Sequence, residues 1–239
     1  MQEQLREDAE GAILFDAALS PQVDSRWFAP DYWRGQGALR VQAGGRGGVA
    51  VIDTPAGECV LRHYRRGGMV AALMGDRYLW RGAARTRGFA ELRLLDAIAR
   101  RGLPGPAPVA ARYRRDGLFY RADLITGRIP AARTLAECVA DEAFDTALAE
   151  AVGALVARFH REGVWHADLN AHNVLVTPSG LYLIDFDRGR LRQMADGWRR
   201  ANLRRLRRSL AKLGAARDAA AFDALWAALT RGYRQAWRG

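Results

Sequence analysis

Hydrophobic and polar positions change their period near residue 126. Before that point apolar residues alternate or cluster in short runs. The stretch "ALRVQAGGRGGVAVIDTPAGECVLRHY" spells strand, glycine-rich turn, strand, turn, strand, with the turns at Gly44–Gly48 and Pro55–Gly57. A short helical segment near 24–34 precedes it. Residues 84–101 place Glu91, Leu94, Leu95 and Ile98 on one helical face, and Gly102 and Pro104 supply the stop signals. "VAARYRRDGLFYRADLI" reads as a hairpin about Asp116–Gly117. After residue 126 the pattern is mostly helical. Thr134 caps a short helix and 144–162 form a long one. Two short strands at 173–177 and 181–185 are joined by "PSG", and helices near 197–213 and 216–236 finish the chain. The expectation is an α+β chain with two lobes, β-rich over 1–125 and α-rich over 126–239, breaking near Gly127.

Composition narrows the class. The 239 residues are 49% hydrophobic and 26% charged, ordinary for a globular protein with a real core. No apolar run approaches the roughly 18–20 residues that span a bilayer, and the acidic-polar start "MQEQLREDAEGAILFD" does not read as a signal peptide. The expected compartment is therefore the cytosol. Cys59 and Cys138 form neither a disulfide framework nor a zinc site, and the four histidines include no zinc-type pair. The net charge is +11, and Lys212 is the only lysine among the 37 basic residues. Such a chain attracts nucleic acid, phosphorylated substrates or an anionic membrane surface.

The chemistry is concentrated in "WHADLNAHNVLVTPSGLYLIDFD". Asp168 and Asn173 sit five residues apart between a helix and a strand, and Asp185 ends the next strand. A hairpin between those strands brings the start of one beside the end of the other, so three oxygen-bearing side chains converge. Hard oxygens in that number suit Mg²⁺, which prefers few protein ligands plus phosphate oxygens.

"HADLNAHN" followed by "LIDFD" resembles the catalytic loop and metal-binding motif of the protein-kinase-like phosphotransferases. With "VLRHYRRGG", "LIDFDRGR" and "WRRANLRRLRRSL", running in order from about residue 30 to 213, the chain resembles the lipopolysaccharide core kinases. Within them it is most similar to the branch acting on 3-deoxy-D-manno-octulosonic acid (Kdo). The resemblance implies a bilobal protein-kinase-like fold, with ATP and Mg²⁺ as cofactors and Kdo-lipid A phosphorylated on its 4-hydroxyl as acceptor. It implies that Asp168 takes the proton of the attacking hydroxyl and that Asn173 and Asp185 hold the metal. Gly45 and Gly47 would let backbone N–H groups approach the phosphates. Arg62 would stand where kinases place a phosphate-binding lysine, with Glu91 as its partner. An acid on the apolar stripe of the 84–101 helix needs a buried cation in any case.

Departures from the pattern bear on the acceptor. Arg62 replaces the lysine, Asn170 stands where many protein kinases carry a second lysine, Asp187 replaces the glycine of the DFG motif, and no APE-like segment follows. These disfavour a regulated protein kinase and favour a small molecule or glycolipid. A heptose kinase of the same core, or another small-molecule kinase, keeps the chemistry and changes the acceptor; a polycationic aminoglycoside suits a chain of this charge poorly. A kinase-shaped binding protein without catalysis would lack one of Asp168, Asn173 or Asp185, and all three are present.

One further segment stands apart. In "WRRANLRRLRRSLAKL", Leu203, Leu206, Leu210 and Leu213 form an apolar stripe, and Arg199, Arg200, Arg204, Arg205, Arg207 and Arg208 cover the other faces. Read functionally, this is a landing site for anionic phospholipid or lipid A phosphates at the cytoplasmic face of the inner membrane. Each basic residue near such a surface is worth about 1 kcal/mol. Arg65, Arg66, Arg77, Arg81, Arg85 and Arg87 are candidates for the same face. Without interleaved aromatics or a zinc knuckle, nucleic acid is not the expected partner.

Overall fold

Alternation in the first half of the chain builds one antiparallel sheet. The computed structural model describes residues 1–41, 49–65, 75–215 and 218–238. Gly45, Gly47 and Arg66 therefore lie outside the described residues. The chain divides into two compact units, Met1–Asp96 with Pro106–Arg128, and Ala97–Gly105 with Ile129–Gly239.

In the first unit the strands are β1 (Glu3–Glu7), β2 (Gly11–Asp16), β3 (Leu39–Val41), β4 (Val49–Thr54), β5 (Gly57–His63), β6 (Tyr78–Leu79), β7 (Pro108–Asp116) and β8 (Phe119–Gly127). They order as β1-β2-β7-β8-β5-β4-β3, with β6 on β8. The hairpin expected at Asp116–Gly117 is the β7–β8 pair, which starts at Asp116↔Phe119 with Gly117 at φ 57°. A cluster of Ile13, Phe15, Ile52, Leu61, Val109 and Ile125 from the sheet packs with Val23, Trp27, Phe28 and Trp33. The last three come from the segment leading into and through α1 (Pro30–Gly35), where Trp33 Nε1 donates to Trp27 O at 2.7 Å. Helix α2 (Arg87–Arg100) begins against the same sheet, its Phe89 ring edge-on to Tyr113.

At the end of β5, His63 is held between two acids. Its Nδ1 faces Asp123 Oδ1 at 2.6 Å and its Nε2 faces Asp76 Oδ2 at 2.9 Å, while Arg112 and Arg121 bind the same carboxylates. The hydrogen bond to Asp123 lifts His63 above the usual histidine range against the effect of its burial. This network fixes the end of the strand that carries Arg62.

The second unit contains α3 (Leu135–Ala140), α4 (Thr146–Arg161), α5 (Asp196–Leu210) and α6 (Ala219–Arg238). Its strands are short: β9 (Arg133–Thr134), β10 (Val164–Trp165), β11 (Val174–Thr177), β12 (Gly180–Leu183) and β13 (Arg190–Leu191). Thr134 caps α3 in a capping box with Glu137. Helices α4 and α6 meet backbone to backbone. A Cβ on Gly153 would stand 1.9 Å from Leu229 O, and one on Gly232 would stand 2.0 Å from Glu150 O. Two glycines from different helices thus set the approach that seats α4, whose C-terminal end leads into β10 and the loop after it. No helix among the described residues is long and apolar enough to cross a membrane.

Gly232→Ala should force these helices apart and cost about 2–3 kcal/mol, a fall of roughly 5–10 °C in melting temperature. Thermal unfolding followed by circular dichroism checks it; an unchanged midpoint contradicts the close approach.

Candidate active site

The loop after β10 is organised by one buried imidazole. His166 is 2% exposed. Its Nε2 donates to Ile184 O at 2.9 Å and its Nδ1 accepts from Asp168 N–H at 3.1 Å. One nitrogen must give and the other must take, so the ring is neutral with its proton on Nε2. Burial pushes its pKa down in agreement. Leu169, 1% exposed, anchors the next residue in the core.

The following turn is satisfied from within. Asn170 Oδ1 accepts from His172 N at 2.8 Å and Asn173 N at 3.2 Å, capping the short helical turn Ala171–Asn173. Two amides then converge on the carbonyl of Asp168: Asn170 Nδ2 at 3.1 Å and Asn173 Nδ2 at 2.9 Å. With its nitrogen committed there, Asn173 has its oxygen left to offer elsewhere.

The β11–β12 hairpin closes the arrangement. Val174 pairs with Leu183, and Ile184 N donates to Asn173 O at 3.0 Å, so Asp185 lies one residue beyond the partner of Asn173. Asp185 has φ 60°, a left-handed conformation that costs a non-glycine residue about 1–2 kcal/mol. Phe186, fully buried, stacks on Phe159 with centroids 5.7 Å apart and leans on His166 at 4.9 Å. The carboxylate is thus aimed by a strained residue held between two anchored neighbours.

A third element grips the loop. Asn202 of α5 is 3% exposed; its Nδ2 donates to His166 O at 2.8 Å and its Oδ1 accepts from His166 N and from His160 Nε2, both at 3.3 Å. One turn on, Arg205 Nε donates to Asp168 Oδ1 at 2.6 Å, and Ser209 Oγ accepts from Ala171 N at 3.1 Å. These three residues share a helical face. None was singled out from sequence for this work, although Asn202, a polar residue in phase with buried Leu206 and Leu210, was a readable signal.

In the first unit, Arg62 Nη2 donates to Glu91 Oε2 at 2.6 Å, joining β5 to α2. Tyr64 Oη donates to the same oxygen at 2.6 Å, and its ring lies 4.8 Å from the guanidinium carbon of Arg62. Glu91 is 4% exposed, so the acid on the apolar stripe has its cation in the half-buried Arg62.

Residues 30–233 match the lipopolysaccharide kinase (Kdo/WaaP) family. A 3-deoxy-D-manno-octulosonic acid kinase of Xanthomonas axonopodis pv. citri (strain 306) is 52% identical over 228 residues, covering 95% of this chain and 91% of the relative. That of Stenotrophomonas maltophilia (strain K279a) is 49% identical over the same coverage. The chain belongs to the lipopolysaccharide kinase (Kdo/WaaP) family. This kinase also shares its fold with a solved structure of WaaP in complex with acyl carrier protein, at 18% identity and TM-score 0.52 over 95% of this chain and 98% of that one. The fold is protein-kinase-like, β-rich at its N-terminal end and helical at its C-terminal end, and the protein is a phosphotransferase.

For the kinase, the arginine-rich helix needs correction. Arg199 stacks on Trp237 at 3.8 Å and pairs with Asp196, Arg205 pairs with Asp168, and Arg207 pairs with Asp223 at 3.2 Å. Arg200 also pairs with Asp196 at 3.2 Å, so four of the six arginines expected to face outward on α5 are engaged within the unit. The helix is amphipathic, but its polar faces divide between the loop after β10, α6 and solvent, which sequence periodicity cannot separate. Arg87 likewise bonds Tyr78 Oη at 2.9 Å instead of standing free.

His160, 2% exposed between Asn202 and Tyr233, has its pKa lowered by burial to about 4. A histidine neutral when folded stabilises fully above its unfolded pKa and loses that contribution as pH falls. Unfolding free energy should therefore drop by about 2 kcal/mol between pH 7 and pH 5 on its account. Chemical denaturation across that range should show a shallower drop in His160→Gln; equal slopes would contradict the assignment.

Proposed function

We propose that this kinase transfers the γ-phosphoryl group of ATP to the 4-hydroxyl of Kdo in Kdo-lipid A, an inner-core step of lipopolysaccharide synthesis. The supporting observation is the near-complete match, at about half identity, to relatives named 3-deoxy-D-manno-octulosonic acid kinase. The site's chemistry agrees with that reading.

Asp168 serves as the base. It accepts the proton of the sugar hydroxyl as that oxygen bonds to the γ-phosphorus and ADP departs. Asn173 and Asp185 serve as ligands of Mg²⁺. Two hard oxygens make the sparse donor set that this ion accepts when phosphates and waters complete its shell. Among the described residues no cluster of three His, Cys, Asp or Glu offers a fuller cage. When bound, Mg²⁺ would offset charge on the nucleotide phosphates. In the first unit, Arg62, fixed by Glu91, supplies a nucleotide phosphate contact as a fork in place of a lysine's point charge. Gly45 and Gly47 complete the nucleotide contacts in this proposal.

The acceptor is a glycolipid, so the enzyme works at the cytoplasmic face of the inner membrane as a peripheral protein. Four basic residues at successive i, i+4 positions, Arg200, Arg204, Arg208 and Lys212, are exposed along α5 and the turn after it. They form the stripe that meets anionic headgroups, at about 1 kcal/mol each.

The direct test is phosphoryl transfer from labelled ATP to purified Kdo-lipid A, beside heptosylated core as a competing acceptor. Preference for the heptosylated core would replace the acceptor reading. Asp168→Ala should bind ATP normally and lose at least about 1,000-fold in kcat; wild-type turnover would refute the base assignment. The double reversal Arg204→Glu, Arg208→Glu should weaken binding to phosphatidylglycerol vesicles by about 30-fold or more while sparing a soluble Kdo analogue. Equal losses on both would remove the membrane role.

A further inference from the structure

We infer that Arg205 of α5 is a positioning residue for the reaction: it holds one oxygen of the Asp168 carboxylate so that the other faces the acceptor hydroxyl. The inference rests on the reading of Asp168 as base.

The loop and the helix hold different parts of Asp168. From within the loop, Asn170 and Asn173 both donate to its carbonyl, and His166 takes its N–H. These bonds fix the backbone and leave the carboxylate untouched. The side chain is 45% exposed, and a carboxylate's terminal torsion is broad and nearly two-fold, so backbone ties alone would not choose which oxygen meets the substrate. Arg205 makes that choice. Its Nε donates to Oδ1 at 2.6 Å, and Nη2 of the same guanidinium lies against Oδ1 as well. Among the described residues Oδ2 receives no hydrogen bond. One oxygen is saturated with donors and the other keeps its lone pairs.

The guanidinium is itself braced. Three residues before it Asn202 bonds both backbone groups of His166, and four residues after it Ser209 accepts from Ala171 N. Leu206 and Leu210 bury the adjoining stripe. The helix therefore carries Arg205 in register with the loop, a preorganisation that an isolated surface pair does not have. Inside the loop the candidate substitute is already occupied, since Asn170 uses its oxygen as a cap and its nitrogen on the Asp168 carbonyl. In the step, the hydroxyl proton passes to Oδ2 as the sugar oxygen bonds to phosphorus and the bond to the bridging oxygen of ADP breaks. Arg205 stays paired to Oδ1 throughout.

The test uses the full-length enzyme with ATP, Mg²⁺ and Kdo-lipid A. Arg205→Ala should lower kcat by about 10- to 100-fold with KM for ATP changed less than about threefold. Because an exposed pair contributes little to stability, its melting temperature should stay within about 4 °C of wild type. Millimolar guanidinium chloride should restore part of kcat to Arg205→Ala and none to Asp168→Ala. A wild-type kcat in Arg205→Ala overturns the inference. So does a loss of kcat that comes with a large fall in melting temperature and no guanidinium rescue, which marks a purely structural tie. If the wild-type enzyme does not phosphorylate Kdo-lipid A, the acceptor reading fails on its own. Arg205 is then read on slow ATP hydrolysis by water, where Arg205→Ala and Asp168→Ala must fall together; hydrolysis by Arg205→Ala at the wild-type rate overturns it.

Discussion

A neutral, buried imidazole ties the two chemical segments of this kinase together. His166 takes the N–H of Asp168 on one nitrogen and gives its proton to the carbonyl of Ile184 on the other. The first bond sets the loop that carries Asp168 and Asn173, and the second sets the residue before Asp185. Protonating the ring would turn its acceptor into a donor aimed at a donor, so its low pKa is a condition of the geometry. Leaving a buried N–H or C=O unpaired costs about 1–3 kcal/mol, and four backbone groups here depend on this one side chain or on the Asn202 amide behind it.

Helix α5 works on two sides for the same reason. Its inner face is polar where a helix normally buries only apolar residues: Asn202 bonds the backbone of His166, Arg205 the carboxylate of Asp168, and Ser209 the start of the turn that ends in Asn173. Its outer face carries exposed arginines. The same repeat of basic residues therefore contains members with opposite fates, some paired inside the unit and some, such as Arg204 and Arg208, exposed to solvent. Counting charge along the helix overstates the outward share.

Much of this was legible in the sequence because it rests on period and spacing. The β7–β8 hairpin follows from Asp116–Gly117, the cap of α3 from Thr134, and the meeting of Asn173 with Ile184 from two short strands joined by a tight turn. The pair of Arg62 with Glu91 is what the family resemblance implies, supported by an acid on an apolar stripe. What escaped depends on contacts across long separations. The β1–β2 hairpin was missed because every residue of β1 is exposed, so it shows no alternation of its own and gains its register from β2. The two-residue strands β6, β9, β10 and β13 are too short for any period. Gly153 and Gly232 look like helix-weakening residues until the backbone of the facing helix is placed against each. Arg205 is indistinguishable in sequence from Arg204, and only the phase of α5 separates them.

In the proposed site, Asn173 and Asp185 present their oxygens to one metal–nucleotide complex beside Asp168. Nuclear magnetic resonance with Mn²⁺·ATP in place of Mg²⁺·ATP tests it most directly, because paramagnetic relaxation marks the amides nearest the ion. The account predicts the strongest broadening at Asn173, Ile184, Asp185 and Phe186, abolished in a folded Asp185→Asn variant. Strongest broadening elsewhere in the chain, or broadening that survives Asp185→Asn unchanged, would contradict it.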